Sequence, residues 1–127
     1  MKPRNAVSIA LPIPPVALRP NARVHYHARG RAVKQYRGLA RVLARSAMTG
    51  TPRWTAATVG ATWYFPTQRR RDRDNLLASL KAAFDGLVDA GLLADDSGLQ
   101  HLPHKTIVER GCEPRVVLTI TPQETAP

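Results

Sequence analysis

The first half of this chain has no acidic side chains. Residues 1–71 carry 14 Lys and Arg without one Asp or Glu, whereas residues 72–127 carry 5 basic and 9 acidic side chains. The formal net charge is +10, and Arg outnumbers Lys 15 to 4. Because a planar guanidinium matches phosphate oxygens in a bidentate manner, this segregated charge favours a nucleic acid as partner over a generally solvated basic surface.

Cysteine and long hydrophobic runs are also scarce. Cys112 is the single cysteine, which excludes an internal disulfide and a thiolate zinc cluster and predicts an intracellular protein. Pro12, Pro14 and Pro15 interrupt the apolar segment near the N-terminus, and nothing reaches the roughly twenty residues of a membrane span. We therefore expect a cytoplasmic protein with no membrane partner, and nothing in the sequence indicates an organic cofactor.

The hydropathy pattern predicts one α+β domain over residues 1–127, with flexible ends at residues 1–5 and 123–127. Period-two alternation indicates strands, and helical spacing of apolar residues indicates two helices. The predicted order is β-α-β-α-β-β, a two-layer fold in which two helices pack on a mixed sheet. The predicted elements are strand 7–11, helix 33–48, strand 54–65, a helix from the segment after residue 72 to Gly91, and strands 106–109 and 115–121 joined as a hairpin.

Basic side chains follow two of these segments. Residues 16–32 have no period and are predicted to be an irregular loop, which either grips phosphate or is simply solvated. In the helix 33–48, like charges lie opposite the apolar stripe, and this destabilises an isolated helix. The expected DNA contacts here are Arg23, Arg29, Arg31, Lys34, Arg37, Arg41 and Arg45, with His25 and His27 beside them.

Carboxylates cluster in the segment around the second helix. Asp72 and Asp74 lie at its start behind Arg69, Arg70 and Arg71, with Arg73 between them; Asp95 and Asp96 follow it. Either of the first two could be a helix cap. Several carboxylates in one site require protons or a divalent cation to coexist. Oxygen ligands without a His-Cys framework point to Mg²⁺ or Mn²⁺, which would polarise a phosphodiester and activate water. His101 and His104 alone do not make a zinc site.

A set of short motifs resembles the RusA family of Holliday junction resolvases. The motifs occur in one order along nearly the whole chain. They are Leu11-Pro12-x-Pro14-Pro15, Arg-Arg-Asp72-x-Asp74-Asn75-Leu76, Lys81-Ala-Ala-Phe84-Asp85-Gly-Leu87, Ala90-Gly91, Asp95-Asp96 and Leu118-Thr-Ile-Thr. Each motif is weak by itself, and the set is specific.

The resemblance implies a homodimeric, Mg²⁺-dependent endodeoxyribonuclease of a bacterium or its prophage, acting in DNA recombination and repair. Such an enzyme nicks a four-way junction symmetrically. The catalytic aspartates map onto Asp72, Asp74 and Asp96, with Asp95 assisting at the metal. The arginines Arg69, Arg70, Arg71 and Arg73 are expected to join the first helix in holding DNA.

The lysine of the family is displaced in this chain. It lies four residues after the second aspartate in the family pattern, where this chain has Ala78, and Lys81 follows three residues later. On a continuous helix both positions fall near one face, about 4.5 Å apart along the axis. Lys81 is therefore either the catalytic lysine or a surface partner of Asp85 at i+4. Gly98 is a second departure, because a polar residue is expected after Asp-Asp.

Two other functions fit the same residues. One is a non-catalytic nucleic-acid-binding module whose acidic residues are caps and turns. The other is a nuclease of different specificity, acting on flaps, forks or RNA. Divalent-metal dependence and the preference for junction over duplex distinguish these alternatives from a junction resolvase.

Overall fold

Alternating apolar residues build a five-stranded sheet, with the helices on one of its faces. The computed structural model describes residues 6–20, 22–69 and 73–123, without the side chains of residues 73–75. Two 3₁₀ helices, Val16–Leu18 and Asp96–Gly98, accompany the main elements. These are β1 (Val7–Pro12), α1 (Tyr26–Ala47), β2 (Ala57–Phe65), α2 (Arg73–Ala78), α3 (Lys81–Asp89), β3 (Leu99–His101), β4 (Lys105–Val108) and β5 (Arg115–Pro122).

The last strand in sequence lies inside the sheet. β5 pairs antiparallel with both β1 and β2, so that Ile120 lies opposite Val7 on one side and Val59 on the other. β2 then pairs in parallel with β3 near its start and with β4 near its end. The sheet is therefore mixed, in the order β1-β5-β2-β3, with β4 also on β2.

The core lies between this sheet and the helices α1 and α3. Alternate residues of β1, β2 and β5 are buried, as period-two alternation requires. Trp63, Leu118 and Ile120 are fully enclosed, and Tyr36 of α1 closes the layer by donating a 2.6 Å hydrogen bond to the Pro12 carbonyl. Burial raises the pKa of the Tyr36 hydroxyl, so it stays a protonated donor.

Small residues let α1 and α3 approach closely. Gly86 of α3 lies against the backbone of α1: a Cβ atom at this position would overlap the carbonyl oxygen of Arg37 and lie 2.9 Å from the Ala40 Cβ. Ala40 of α1 and Ala83 of α3 are both completely buried. The contact fixes the axis of α3, and α3 carries Lys81 at its first position.

The predicted α+β class and the packing of helices on a mixed sheet are confirmed. The alternation that predicts the first two strands is also confirmed, since Val7, Ile9 and Leu11 of β1 and alternate residues of β2 from Ala57 to Phe65 are buried. The predicted hairpin of strands 106–109 and 115–121 is wrong, because β4 pairs with β2 while β5 pairs with β1 and β2. The short strand β3 was not predicted.

The helix boundaries also differ from the prediction. α1 begins at Tyr26 rather than at Val33, so the second part of the predicted irregular loop, with Arg29 and Arg31, is helical. The Nδ1 atom of His25 accepts a 3.2 Å hydrogen bond from the His27 amide and caps this helix, which a scan for Ser, Thr, Asp or Asn caps does not find.

The ends of the chain are covered only in part. Residues 1–5 and 124–127 lie outside the described residues. Gln123 donates its backbone N–H to the Ala56 carbonyl at 3.0 Å, and its side-chain amide donates to Gln100 at 2.7 Å.

Candidate functional site

Lys81 and Asp96 form an ion pair between two separate segments of the chain. Lys81 begins α3, and Asp96 begins the 3₁₀ helix that precedes β3. The Lys81 Nζ atom lies 2.5 Å from Asp96 Oδ2 and 2.9 Å from Oδ1 of Asp85, one turn further along α3. Both alternatives for Lys81 therefore have a contact in the structure: the lysine touches a carboxylate of the candidate site and also its i+4 neighbour.

The pair is ionised and accessible. The hydrogen bond from Lys81 lowers the pKa of the Asp96 carboxyl, and the bonds to Asp96 and Asp85 raise the pKa of the Lys81 ammonium. The Lys81 side chain is 66 % exposed and that of Asp96 is 30 % exposed. At neutral pH a ligand can therefore contact both the Lys81 ammonium and the Asp96 carboxylate, which lie side by side.

A break in the helix after residue 78 places Lys81. The prediction of one continuous second helix is wrong, because α2 ends at Ala78 and Ser79 and Leu80 form a turn. Leu80 is fully buried, and the buried hydroxyl of Ser79 donates a 2.7 Å hydrogen bond to the Leu76 carbonyl. The turn starts a new helix, so the position of Lys81 follows from the turn and not from the angular offset along one helix.

Asp95 shapes the turn that presents Asp96. Its Oδ1 accepts a 2.9 Å hydrogen bond from the Asp96 amide, and its Oδ2 accepts one of 2.7 Å from the Ser97 hydroxyl. Asp95 is the N-cap of the 3₁₀ helix. The two adjacent carboxylates therefore differ: Asp95 binds its own turn, and Asp96 points to Lys81.

Gly98 anchors the same turn to the start of β2. A Cβ atom at this position would overlap the Thr55 carbonyl oxygen and lie 3.0 Å from its carbonyl carbon. Only glycine fits so close to a backbone, which explains the residue found where a polar one was expected after Asp-Asp. The identity of residue 98 was visible in the sequence, but its contact with Thr55 was not, because the two lie 43 positions apart.

Other predicted site residues lie outside the described part of the chain. Arg70, Arg71 and Asp72 are not described, and nothing is described of the side chains of Arg73 and Asp74. Within residues 6–20, 22–69 and 76–123, no group of three or more His, Cys, Asp or Glu side chains is arranged to hold a metal ion. Of the four predicted metal ligands, the structure therefore describes the side chains of Asp95 and Asp96.

An aromatic pair flanks the ion pair. His101 of β3 packs on Phe84 of α3 with ring centroids 5.1 Å apart. A shallow cavity of about 200 Å³ is lined by both rings, by Lys81 and Asp96, and by Leu77 and Ala78 of α2. The other histidine of the predicted pair, His104, accepts a 2.9 Å hydrogen bond from the Trp63 indole on its Nδ1 atom. Each of these two histidines thus has its own aromatic neighbour.

The basic side chains on and around α1 are not equivalent. Arg37 binds both oxygens of Asp89 on α3, at 2.5 and 2.8 Å, which raises the pKa of the guanidinium and lowers the pKa of the carboxyl. Arg29 donates a 2.7 Å hydrogen bond to the Ala22 carbonyl. The remaining described members of the expected DNA-binding set are exposed: Arg23, Arg31, Lys34, Arg41, Arg45 and Arg69.

Arg29 connects this basic surface to the ion pair. It is partly buried and lines a cavity of about 110 Å³ together with Lys81 and Asp85. A negatively charged ligand in this cavity would meet cations from α1 and from α3. Lys81 also lines the cavity that contains Asp96, so this lysine is common to both cavities.

Comparison with known proteins finds relatives that cover about three quarters or more of this chain. No protein-family model matches the chain. It is 39 % identical over 118 residues to an uncharacterized protein of Xylella fastidiosa, covering 90 % of this chain and 75 % of that one. It is 36 % identical over 99 residues to the crossover junction endodeoxyribonuclease RusA of Escherichia coli K12, covering 73 % of this chain and 76 % of the relative. The enzyme of the same name from Shigella sonnei is 36 % identical over 98 residues, with the same coverage.

No helix within the described residues has the length and apolar character to cross a membrane.

Proposed function

The chain belongs to the RusA family of crossover junction endodeoxyribonucleases, and from this premise we propose that it resolves four-way DNA junctions by hydrolysing phosphodiester bonds. The products would be strands with 5′-phosphate and 3′-hydroxyl ends. The observation that carries the proposal is the contact between Lys81 and Asp96, since it joins the cationic and anionic groups that this chemistry requires.

A divalent cation is part of the proposal. Asp72, Asp74 and Asp96 would hold Mg²⁺, with Mn²⁺ able to replace it, because carboxylate oxygens are the donors that both ions prefer. Asp96 fits this role, since it is partly exposed and its neighbour Asp95 binds the turn. When bound, such an ion polarises the phosphoryl oxygen and activates water.

Lys81 supplies a fixed positive charge beside Asp96. Negative charge builds up on the phosphate oxygens during in-line attack, and a cation placed in advance stabilises it without reorganisation. Asp85 also binds the ammonium, at 2.9 Å, so Lys81 keeps a partner when a ligand replaces it on Asp96. The exposed arginines and Lys34 would hold the arms of the junction through phosphate contacts.

Two copies of the chain would act together. A four-way junction has two equivalent strands to cut, and a two-fold symmetric dimer presents two equivalent sites to them. The proposal therefore includes a homodimer and paired nicks, in DNA recombination and repair within the cytoplasm of a bacterium.

Substitutions at the ion pair test the proposal. Asp96→Asn and Lys81→Met are to be assayed on a synthetic four-way junction with Mg²⁺, Mn²⁺ or EDTA, next to Glu109→Gln as a carboxylate control on an exposed loop. We expect each site variant to lose at least about a hundredfold in cleavage rate while it still binds the junction, because removal of one preorganised charge typically costs that much. The control should cleave like the unmodified chain.

The same assay separates the alternatives. A non-catalytic binding module would bind the junction with strong salt dependence and produce no nick with any metal. A nuclease of other specificity would cut a flap, a fork or RNA faster than the junction. Cleavage that survives in both site variants would remove Lys81 and Asp96 from the mechanism.

A further inference from the structure

Three aromatic rings cluster on the surface at the start of α1, where His25 stacks with both of the others and Tyr26 is tilted against His27. The rings of His25 and Tyr26 have centroids 5.0 Å apart, those of His25 and His27 are also 5.0 Å apart, and those of Tyr26 and His27 are 3.9 Å apart. All three residues are exposed, and Tyr26 is exposed by 71 %. We call these three residues the aromatic platform.

The platform does not belong to the core. The side chain of His25 caps α1. Tyr26 is not part of the buried cluster or of the residues packed against it. Only 6 % of the residues are Phe, Trp or Tyr, and Tyr26 is the most exposed large hydrophobic residue of the described chain. An exposed ring that adds nothing to the core, stacks with His25 and is tilted against His27 is available to a flat ligand.

Basic residues flank the platform in the sequence. Arg23 and Arg31 are exposed on either side of it in sequence. Arg29 lies three residues after Tyr26, which corresponds to a rise of about 4.5 Å on the same helix. Because Arg29 also lines the cavity that contains Lys81 and Asp85, the platform is one helical turn from a cavity that reaches Lys81, the partner of Asp96.

We propose that the aromatic platform binds an unstacked nucleobase of the DNA, with Tyr26 as its main contact. This rests on the proposed function, because it places the base next to the strand that reaches Lys81 and Asp96. Every base has a π-face, so aromatic stacking is tolerant of sequence, and arginines alongside track the backbone. A four-way junction suits this site because stacking is interrupted at its branch point, whereas a continuous duplex keeps its bases stacked.

Binding in EDTA tests the platform without any need for cleavage. The full chain, Tyr26→Ala, Tyr26→Phe and Val42→Ala are titrated with a synthetic four-way junction and with a duplex of the same length. Val42 is an exposed apolar residue of α1 and serves as the control for a change of exposed surface. We expect Tyr26→Ala to bind the junction about tenfold more weakly, with less than about a twofold change on the duplex. Tyr26→Phe and Val42→Ala should stay within about twofold on both.

An abasic junction isolates the base contact. When the branch-point nucleotides lack their bases, the unmodified chain should lose the same factor of about ten, and Tyr26→Ala should lose nothing further. The slope of log K against log salt should be the same for Tyr26→Ala and the unmodified chain. Arg29→Ala should reduce it by about 0.9 if that guanidinium contacts one phosphate.

Several results would overturn the inference. An equal loss on junction and duplex, or on intact and abasic junctions, would show that Tyr26 does not contact a base. A change of sedimentation for Tyr26→Ala in the absence of DNA would assign the ring to a contact between copies of the chain. If the chain binds the junction through Tyr26 but never cuts it, the proposed function is refuted and base binding by the platform stands. If Tyr26→Ala binds and cuts the junction like the unmodified chain, base binding by the platform is refuted and the proposed function stands.

Discussion

Substitution of Gly98 by alanine should displace Asp96 without removing any functional group. The added Cβ would overlap the Thr55 carbonyl oxygen, and the clash is with backbone that cannot rotate away. Because nonbonded carbon and oxygen atoms prefer a separation of about 3.5 Å, the turn has to move by roughly 1.5 Å. Asp96 lies two residues before Gly98 in the same 3₁₀ helix, so this movement reaches the Lys81–Asp96 bond.

The expected cost has two parts. Overpacking of this kind destabilises a fold by about 1–3 kcal/mol. A misplacement of about 1 Å at a catalytic group reduces the rate by about a hundredfold. We therefore expect Gly98→Ala to remain folded at 25 °C, to unfold at lower urea concentration, and to cut the junction about a hundred times more slowly.

Gly38→Ala is the matched control. A Cβ atom at Gly38 of α1 would meet nothing within 4 Å, and alanine in a helix interior is favoured over glycine by about 0.5–1 kcal/mol. This control should be as stable as the unmodified chain or more stable, with unchanged cleavage. Urea unfolding followed by circular dichroism and single-turnover junction cleavage give the two readings. If Gly98→Ala matches the unmodified chain in both, the close contact with Thr55 does not position Asp96.

Two further predictions concern α3. Gly86→Ala should lower the free energy of unfolding by about 1–3 kcal/mol, as measured in urea, because a Cβ atom there would overlap the Arg37 carbonyl; unchanged stability would mean that α1 and α3 can separate freely. The pKa of Asp89 is lowered by its bond to Arg37, so the ion pair stabilises the fold above the unfolded-state value of about 4 and loses this effect as the pH falls through the lower folded value. The stability difference between the unmodified chain and Asp89→Asn should therefore be at most about 1 kcal/mol at pH 7 and shrink on acidification below pH 4; a difference that is constant with pH would contradict this account.

Local patterns in the sequence predict those parts of the fold that depend on neighbouring residues. The alternation in β1 and β2 identifies which side chains are buried, and Gly91 ends α3 as predicted, with φ of +86° and a Leu92 amide bonded to the Leu87 carbonyl. Strand partners depend on distant segments instead. The turn at Gly111 favours a hairpin between the last two strands. In the structure β4 pairs with one edge of β2 and β5 pairs with its other edge.

The candidate site is predictable to a similar extent. The motif around Lys81 identifies this lysine as a candidate site residue. Its position was predicted from one continuous helix, which is wrong, because apolar spacing does not reveal the turn at Ser79. That Asp95 and Asp96 do different things could not be predicted either. Both are acidic and adjacent, and only the direction of each side chain separates a cap from a ligand.

The place of β5 has a consequence for how the protein is made. Ribosomes add about 5–20 residues per second, and domains usually fold as units. While residues 115–122 are still inside the ribosome, β1 and β2 have no partner between them and both leave backbone groups open. The nascent chain at that stage already carries the whole basic helix α1. The sheet therefore cannot form until β5 is available. A translation product that lacks β5 would expose the unpaired edges of β1 and β2, which can pair with other chains, next to a polycationic surface.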